Sequence, residues 1–344
     1  MSADTSMTFY VTGDDAVTTC VADLLSGAGY KASSQQKADV VFTYSSNTSK
    51  LEDLYYDTKG LVQDTKQDAI LIDLSPATVS FARELGTLAS VNDRKVLDAP
   101  LIVRNVVAPD AFAHVDNLGM VVGGSEAVFN EVRPMLDAIA RDVMWVGKAG
   151  AGQSMKVALT LQNAAALVGL VEAFASFDVS QSKVDKDDYL DFSYKLGMLT
   201  PGQEAFLQAM HSNSFQGSFT IELMMGELAA ALESVDDNDV ILPQAESGFR
   251  LMELLALVGG VDYTPAALKL VFADEDTTKQ YGLDWQRAEG AFEHDHDCDC
   301  ECDHDDPDHE CACGNHDDPN HECCGGHHHA HNQSMGGFMG FSAN

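Results

Sequence analysis

Apolar residues alternate along the first part of the chain between short runs and helical stripes. Positions 8–11 (Thr-Phe-Tyr-Val) form a β-type run closed by Gly13, and positions 16–25 carry an amphipathic stripe closed by Gly27 and Gly29. This predicts strand, turn and helix. Similar runs at 39–43, 69–73, 120–122 and 143–146, with helical periodicity at 78–88 and 126–140, predict an α/β layer with a largely parallel sheet. After Gly147 the pattern changes. Positions 154–178 are one long Ala- and Leu-rich helical pattern, and stripes follow at 186–196, 203–210, 220–232, 244–257 and 265–271. The predicted organisation is an α/β domain over residues 1–146, an all-helical domain over 147–290 and a flexible tail over 291–344.

Composition narrows the partners. The chain has 344 residues, 45% of them hydrophobic, enough to bury real cores, and a net charge of −34. Thirteen of its acidic residues lie in the tail, which has no Lys or Arg between Glu293 and His331, so the body is strongly acidic as well. Such a surface repels phosphate backbones and anionic lipid, which argues against nucleic-acid and membrane partners. Salt adaptation is an alternative source of the body's acidity. The opening Met1-Ser2-Ala3-Asp4-Thr5 lacks a basic region and an apolar core, so no signal peptide is evident. The apolar stretch 164–171 stops at Glu172, short of a membrane span. A cytoplasmic protein with reduced thiols is expected. Cys20, in an apolar helical stretch, reads as a small core residue.

The tail concentrates metal-ligand chemistry. It holds seven of the eight cysteines and ten of the twelve histidines, and a twelve-residue unit beginning at Asp303 recurs at Asn315. The candidate ligands are His294, His296, Cys298, Cys300, Cys302, His304, His309, Cys311, Cys313, His316, His321, Cys323, Cys324, His327, His328, His329 and His331. Imidazole and thiolate together favour Ni, Zn, Co or Cu over Mg or Ca, with Ni or Zn foremost. The spacing is not that of a folded zinc finger, and apolar residues are too few for a core around a fixed ion. A flexible chelator of several ions is expected, with a metalloenzyme or its maturation machinery as a possible recipient. An unstructured acidic tail or an expression tag are the bland alternatives.

Several segments, taken in order, resemble the β-hydroxyacid dehydrogenases, the family of 3-hydroxyisobutyrate dehydrogenase and 6-phosphogluconate dehydrogenase relatives. Gly147-Lys148-Ala149-Gly150-Ala151-Gly152-Gln153-Ser154-Met155-Lys156 is similar to the family's GxxGxGxxxK motif at the start of its long interdomain helix. Ile72-Asp73-Leu74-Ser75-Pro76, Leu97-Asp98-Ala99-Pro100 and Met120-Val121-Val122-Gly123-Gly124, with Phe129 and Pro134 downstream, support the match over residues 7–272. The resemblance implies a Rossmann-like NAD(P)-binding domain, here shortened, followed by a helical domain that pairs into a homodimer. It makes Lys156 the general acid and base, a role a lysine fills when burial or charge lowers its pKa toward neutrality. Gly13 and Ser75 become the remaining cofactor contacts, although Ser-Pro is also an ordinary helix start.

The departures lie at the same places. The family's KxxNN becomes Lys156-Val157-Ala158-Leu159-Thr160, and its DAPVSGG becomes Asp98-Ala99-Pro100-Leu101-Ile102-Val103-Arg104. Its later Lys-Asp pair is expected to be absent, since Met225-Gly226-Glu227-Leu228 stands there. GxGxxG becomes Gly13-Asp14-Asp15-Ala16-Val17-Thr18, keeping only the glycine of the tight turn, with two acids placed to cap the helix and repel a pyrophosphate. Only positions 31–38 separate Tyr30 from the next strand, so the second strand is expected to be lost or shortened, and with it the ribose acid. Two functions follow. The missing contacts favour a catalytically impaired dehydrogenase-like protein whose tail stores, delivers or senses a transition metal. The alternative is an active NAD(P)-dependent oxidoreductase of the 3-hydroxyacid type that uses Lys156.

Overall fold

β1 (Thr8–Gly13) runs directly into α1 (Asp15–Gly27), the strand, turn and helix of the opening pattern. The computed structural model describes residues 6–179, 185–236 and 240–288, so every candidate metal ligand of the tail lies outside the described residues. The return from α1 is abrupt. β2 is two residues, Lys31–Ala32, parallel to Thr8 and Phe9, and no helix stands between it and β3 (Val40–Tyr44) on the other side of β1. Residues 33–39 make this crossing in turns, with Ser33 N donating to Phe9 O (2.7 Å) and Asp39 N to Thr8 O (3.1 Å). The segment is too short for a crossover helix, which needs about ten to twelve residues. The expected shortening of the second strand is what the fold contains.

α2 (Thr48–Tyr56), β4 (Ile70–Asp73), α3 (Val79–Val91), β5 (Lys95–Asp98), β6 (Leu101–Val103), β7 (Leu118–Gly124), α4 (Glu126–Ile139) and β8 (Asp142–Gly147) complete an eight-stranded sheet. Its order is β2-β1-β3-β4-β5-β7-β6, with β8 also paired to β7. Pairing is parallel except where β7 meets β5 and β6. Every residue of β3 and β4 is buried, because helices cover both faces of a parallel sheet. That is why Val-Val-Phe-Thr-Tyr and Ile-Leu-Ile-Asp read as continuous runs rather than alternating ones.

Beyond Gly147 the described residues form only helices and turns: α5 (Ala151–Val179), α6 (Lys186–Lys195), α7 (Pro201–Ser212), α8 (Ile221–Asp236), α9 (Pro243–Leu255) and α10 (Glu275–Lys279). The stripe at 265–271 forms a 3-10 helix, Pro265–Phe272, rather than an α-helix. α5 is apolar on most of its circumference because it lies between sheet and helices, burying Val157, Leu167, Val171 and Phe174. Among the described helices it is long and apolar enough to cross a bilayer, a property that core helices share. One hydrophobic cluster joins Phe42 and Ile72 of the sheet to Phe174, Leu228 and Met252 of the helices.

The contact that positions the site is made by Gly226 of α8. A Cβ at this position would lie 2.6 Å from Ser46 O, so only glycine lets the helix rest on the loop between β3 and α2. This brings α8 over the carboxyl ends of the central strands.

Candidate active site

β5 ends at Asp98, whose carboxylate accepts from Gly150 N (2.8 Å) and Gln153 N (3.1 Å) at the start of α5. An acid on a strand thus serves as the anion at a long helix's N-terminus, where the free amides and the dipole stabilise it. Burial pushes the Asp98 pKa up, and those backbone donors oppose the shift. Gln153, fully buried, ties the helix to the end of β4 by donating to Ser75 O (2.9 Å) and accepting from Ala77 N (3.2 Å). The glycine-rich motif is therefore the socket that aims α5.

Lys156 follows within the first turns of α5. Its side chain is 6% exposed, and Nζ sits 2.6 Å from Oε1 of Glu227 on α8, itself 12% exposed. Thr160, one turn beyond Lys156, donates its hydroxyl to Glu227 Oε2 at 3.4 Å. The segment Met225-Gly226-Glu227-Leu228, which lacks the Lys-Asp pair of the resemblance, still brings an acid to the site, since Glu227 supplies a carboxylate to Lys156. The reason was available in the residues: an acid within the apolar run Leu223-Met224-Met225-Gly226-Glu227-Leu228 must be paired when the helix is buried. Thr160, standing where the family has an asparagine, holds that acid rather than an amide holding substrate.

Arg104 does not reach this cluster. It pairs with Asp142 at the surface and is 47% exposed, while Leu101–Val103 ahead of it is the strand β6. The segment that would receive a substrate carboxylate is thus sheet, as its apolar, β-branched residues favour.

At the other end of the crevice, Gly13 adopts φ +127°, and a Cβ there would fall 1.9 Å from Tyr44 O. Only glycine can make this turn between the ends of β1 and β3. A cleft of 480 Å³ opens beside it, lined by Gly13, Asp14, Ser45, Lys50, Asp57 and Lys59 among others. Asp14 stands at the N-cap of α1 but makes no capping bond. Its carboxylate instead accepts from Ser46 N (2.7 Å), Ser46 Oγ (3.2 Å) and Ser45 Oγ (3.5 Å). The expected local cap is thus replaced by a tertiary strap. Ser75 is fully buried, and its hydroxyl accepts from Ser45 N (3.0 Å), supporting the same loop from below. The glycine turn, the serine loop, Lys50 and Lys59 are groups that receive a dinucleotide phosphate, while three carboxylates of the same cleft, Asp14, Asp53 and Asp57, oppose it, and that of Asp14 occupies the serine loop itself.

Beneath the site, Asp73 is fully enclosed at the end of β4. Oδ1 accepts from Thr43 Oγ1 (3.2 Å) and Ser75 N (3.1 Å), and Oδ2 has no hydrogen-bond partner. Burial is the chief cause that pushes its pKa up to about 7, with the nearby Asp98 charge adding to it. The folded protein therefore keeps a proton that the unfolded chain releases near pH 4. The stability this contributes is present in full below about pH 4 and is lost progressively as pH rises to 7. From pH 5 to 7 the loss is about 2 kcal/mol at 1.36 kcal/mol per pKa unit. Asp73→Asn is expected to flatten the dependence of the urea midpoint on pH across that range. An unchanged slope in the variant would assign the dependence to other groups.

The sequence model of the NAD binding domain of 6-phosphogluconate dehydrogenase matches residues 1–147. The chain is 27% identical over 224 residues to 3-hydroxyisobutyrate dehydrogenase of Pseudomonas aeruginosa, covering 64% of this chain and 74% of that protein. It is 25% identical over 223 residues to 2-(hydroxymethyl)glutarate dehydrogenase of Eubacterium barkeri, covering 63% and 70%. The fold is similar to that of Mycobacterium tuberculosis 3-hydroxyisobutyrate dehydrogenase solved with L-serine, at a TM-score of 0.63 and 21% identity over 78% of this chain and all of that one.

Proposed function

We propose that the chain is a member of the β-hydroxyacid dehydrogenase family and an NAD(P)-dependent oxidoreductase acting on a small hydroxyacid, with Lys156 as general acid and base. The observation that carries the proposal is the enclosed Lys156–Glu227 pair, 2.6 Å apart, at the junction of sheet and helices. A buried ion pair with a third hydrogen-bonding group fixes an amine in one position, which proton transfer in a transition state requires.

The dinucleotide would be held by the Gly13 turn, the Ser45-Ser46 loop, Lys50 and Lys59, and when bound it supplies the hydride carrier. The rest of the chemistry belongs to the chain. On reduction the Lys156 ammonium gives a proton to the substrate oxygen and is left as the neutral amine; on oxidation that neutral amine takes the proton from the substrate hydroxyl and becomes the ammonium again. Glu227 holds the ammonium in place, and Thr160 holds Glu227 in place. The two curated relatives are named for β-hydroxy carboxylates, so that class is the first to test. Full-length protein with NAD+ or NADP+ and either acid is expected to form reduced nicotinamide, followed by absorbance. No reduction by the wild-type protein with any pair at millimolar substrate would sink the proposal.

A second reading concerns the tail and rests on one observation of sequence, the twelve-residue unit repeated from Asp303 and Asn315 with two His and two Cys in each copy. That ligand set supports binding of Ni or Zn. Calorimetric titration of the full chain and of a version ending at Phe292 is expected to show uptake only by the former. Equal uptake by both removes this reading and leaves the dehydrogenase one intact.

A further inference from the structure

We propose that Asp14 is an internal competitor for the dinucleotide, occupying the anion-receiving groups of the crevice and setting the affinity for cofactor. The proposal rests on the oxidoreductase reading and adds a determinant of cofactor affinity to it. In an open parallel sheet, ligands bind outside the carboxyl ends of the strands where successive connections depart to opposite sides. Here that point lies between β1 and β3, because β1 has β2 on one flank and β3 on the other. The Asp14 strap spans this point. It starts after Gly13, where β1 ends, and terminates on Ser45 and Ser46, immediately after β3 ends at Tyr44.

The groups it engages are those a phosphate or ribose oxygen would use. Ser46 N lies 2.7 Å from Asp14 Oδ2, Ser46 Oγ 3.2 Å from the same oxygen, and Ser45 Oγ 3.5 Å from Oδ1. The loop cannot retreat to make room, since Gly226 of α8 packs on Ser46 O and Ser75 Oγ receives Ser45 N from below. A dinucleotide entering the cleft must therefore lift the carboxylate from three donors and then lie beside its charge. Local helix chemistry does not explain the residue, because its side chain makes no bond to the amides of α1.

The test titrates NADH and NADPH into the full-length wild-type protein, Asp14→Ala and Asp14→Asn, with nicotinamide fluorescence as the readout. Asp14→Ala removes strap and charge and is expected to lower Kd at least tenfold. Asp14→Asn keeps an acceptor for Ser46 N, removes only the charge, and is expected to lower Kd about threefold, by 0.7 kcal/mol. It also serves if the alanine variant folds poorly, and in that case no gain by the asparagine variant overturns the proposal. Measurable binding that is equal in all three proteins, or weaker in the variants, overturns it and leaves the oxidoreductase reading standing. No binding by any of the three at millimolar dinucleotide overturns that reading itself.

Discussion

Lys156→Arg will lower kcat by about a thousandfold while leaving the protein folded and able to bind dinucleotide, in the range of 10²–10⁴ that a lost general acid-base group costs. Arginine is the informative replacement because it separates two roles. Its guanidinium can still pair with Glu227, so the enclosed carboxylate keeps a partner and the melting temperature should change little. It stays protonated throughout the accessible pH range, so it cannot take a proton from the substrate hydroxyl. Lys156→Ala should lose the same activity and regain part of it when a small primary amine is added, whereas the arginine variant should not respond. A structural lysine would give the opposite pattern: turnover within about fivefold of wild type in the arginine variant and no amine rescue of the alanine one. That result would remove Lys156 from the chemistry.

The sequence already pointed to this lysine, because Gly147 to Lys156 is a continuous segment whose function is to aim a helix. Gly150 and Gln153 offer their amides to Asp98, and the distance along the chain to Lys156 then sets where the amine lies. The truncated second strand was equally visible, since too few residues stand between Tyr30 and Val40 for any other path. α2 was not visible: it is nine residues long and mostly polar, with only Leu51 and Tyr55 buried, too short a stripe for its period to show. β5 and β6 were missed as strands because they are short runs, and one of them pairs only antiparallel with β7.

The groups the sequence did not disclose are those whose partner lies far along the chain. Asp14 looked like a helix cap, and locally that is the favoured use of aspartate before a helix. In the fold, the donors on Ser45 and Ser46 outcompete the amides of α1, because β1 and β3 are neighbours and their ends converge. Glu227 looked like the loss of a family pair. It is the closest carboxylate to Lys156 once α5 and α8 pack together, a relation that no spacing within one helix could reveal.

Glu227→Gln is expected to destabilise the protein by about 3–5 kcal/mol, because it leaves the Lys156 charge enclosed without a counter-ion. Glutamine preserves the shape and can still accept from Thr160, so the loss reports charge rather than packing. The effect is large against a total stability of about 5–15 kcal/mol. At about 2–4 °C per kcal/mol for a chain of this order, the melting temperature should fall by about 6–20 °C. The double variant Lys156→Met with Glu227→Leu separates the cost of an orphaned charge from the worth of the pair. Two apolar side chains of similar volume remove both desolvation penalties, so the double variant should recover most of the lost stability while remaining inactive. Recovery would mean that the pair is kept for proton transfer, since an apolar pair would serve the fold as well. A double variant no more stable than Glu227→Gln would instead make the pair part of the packing between α5 and α8. A Glu227→Gln melting temperature within 2 °C of wild type, read with the approximate slope above, would mean that the Lys156 charge is not held by Glu227 in solution.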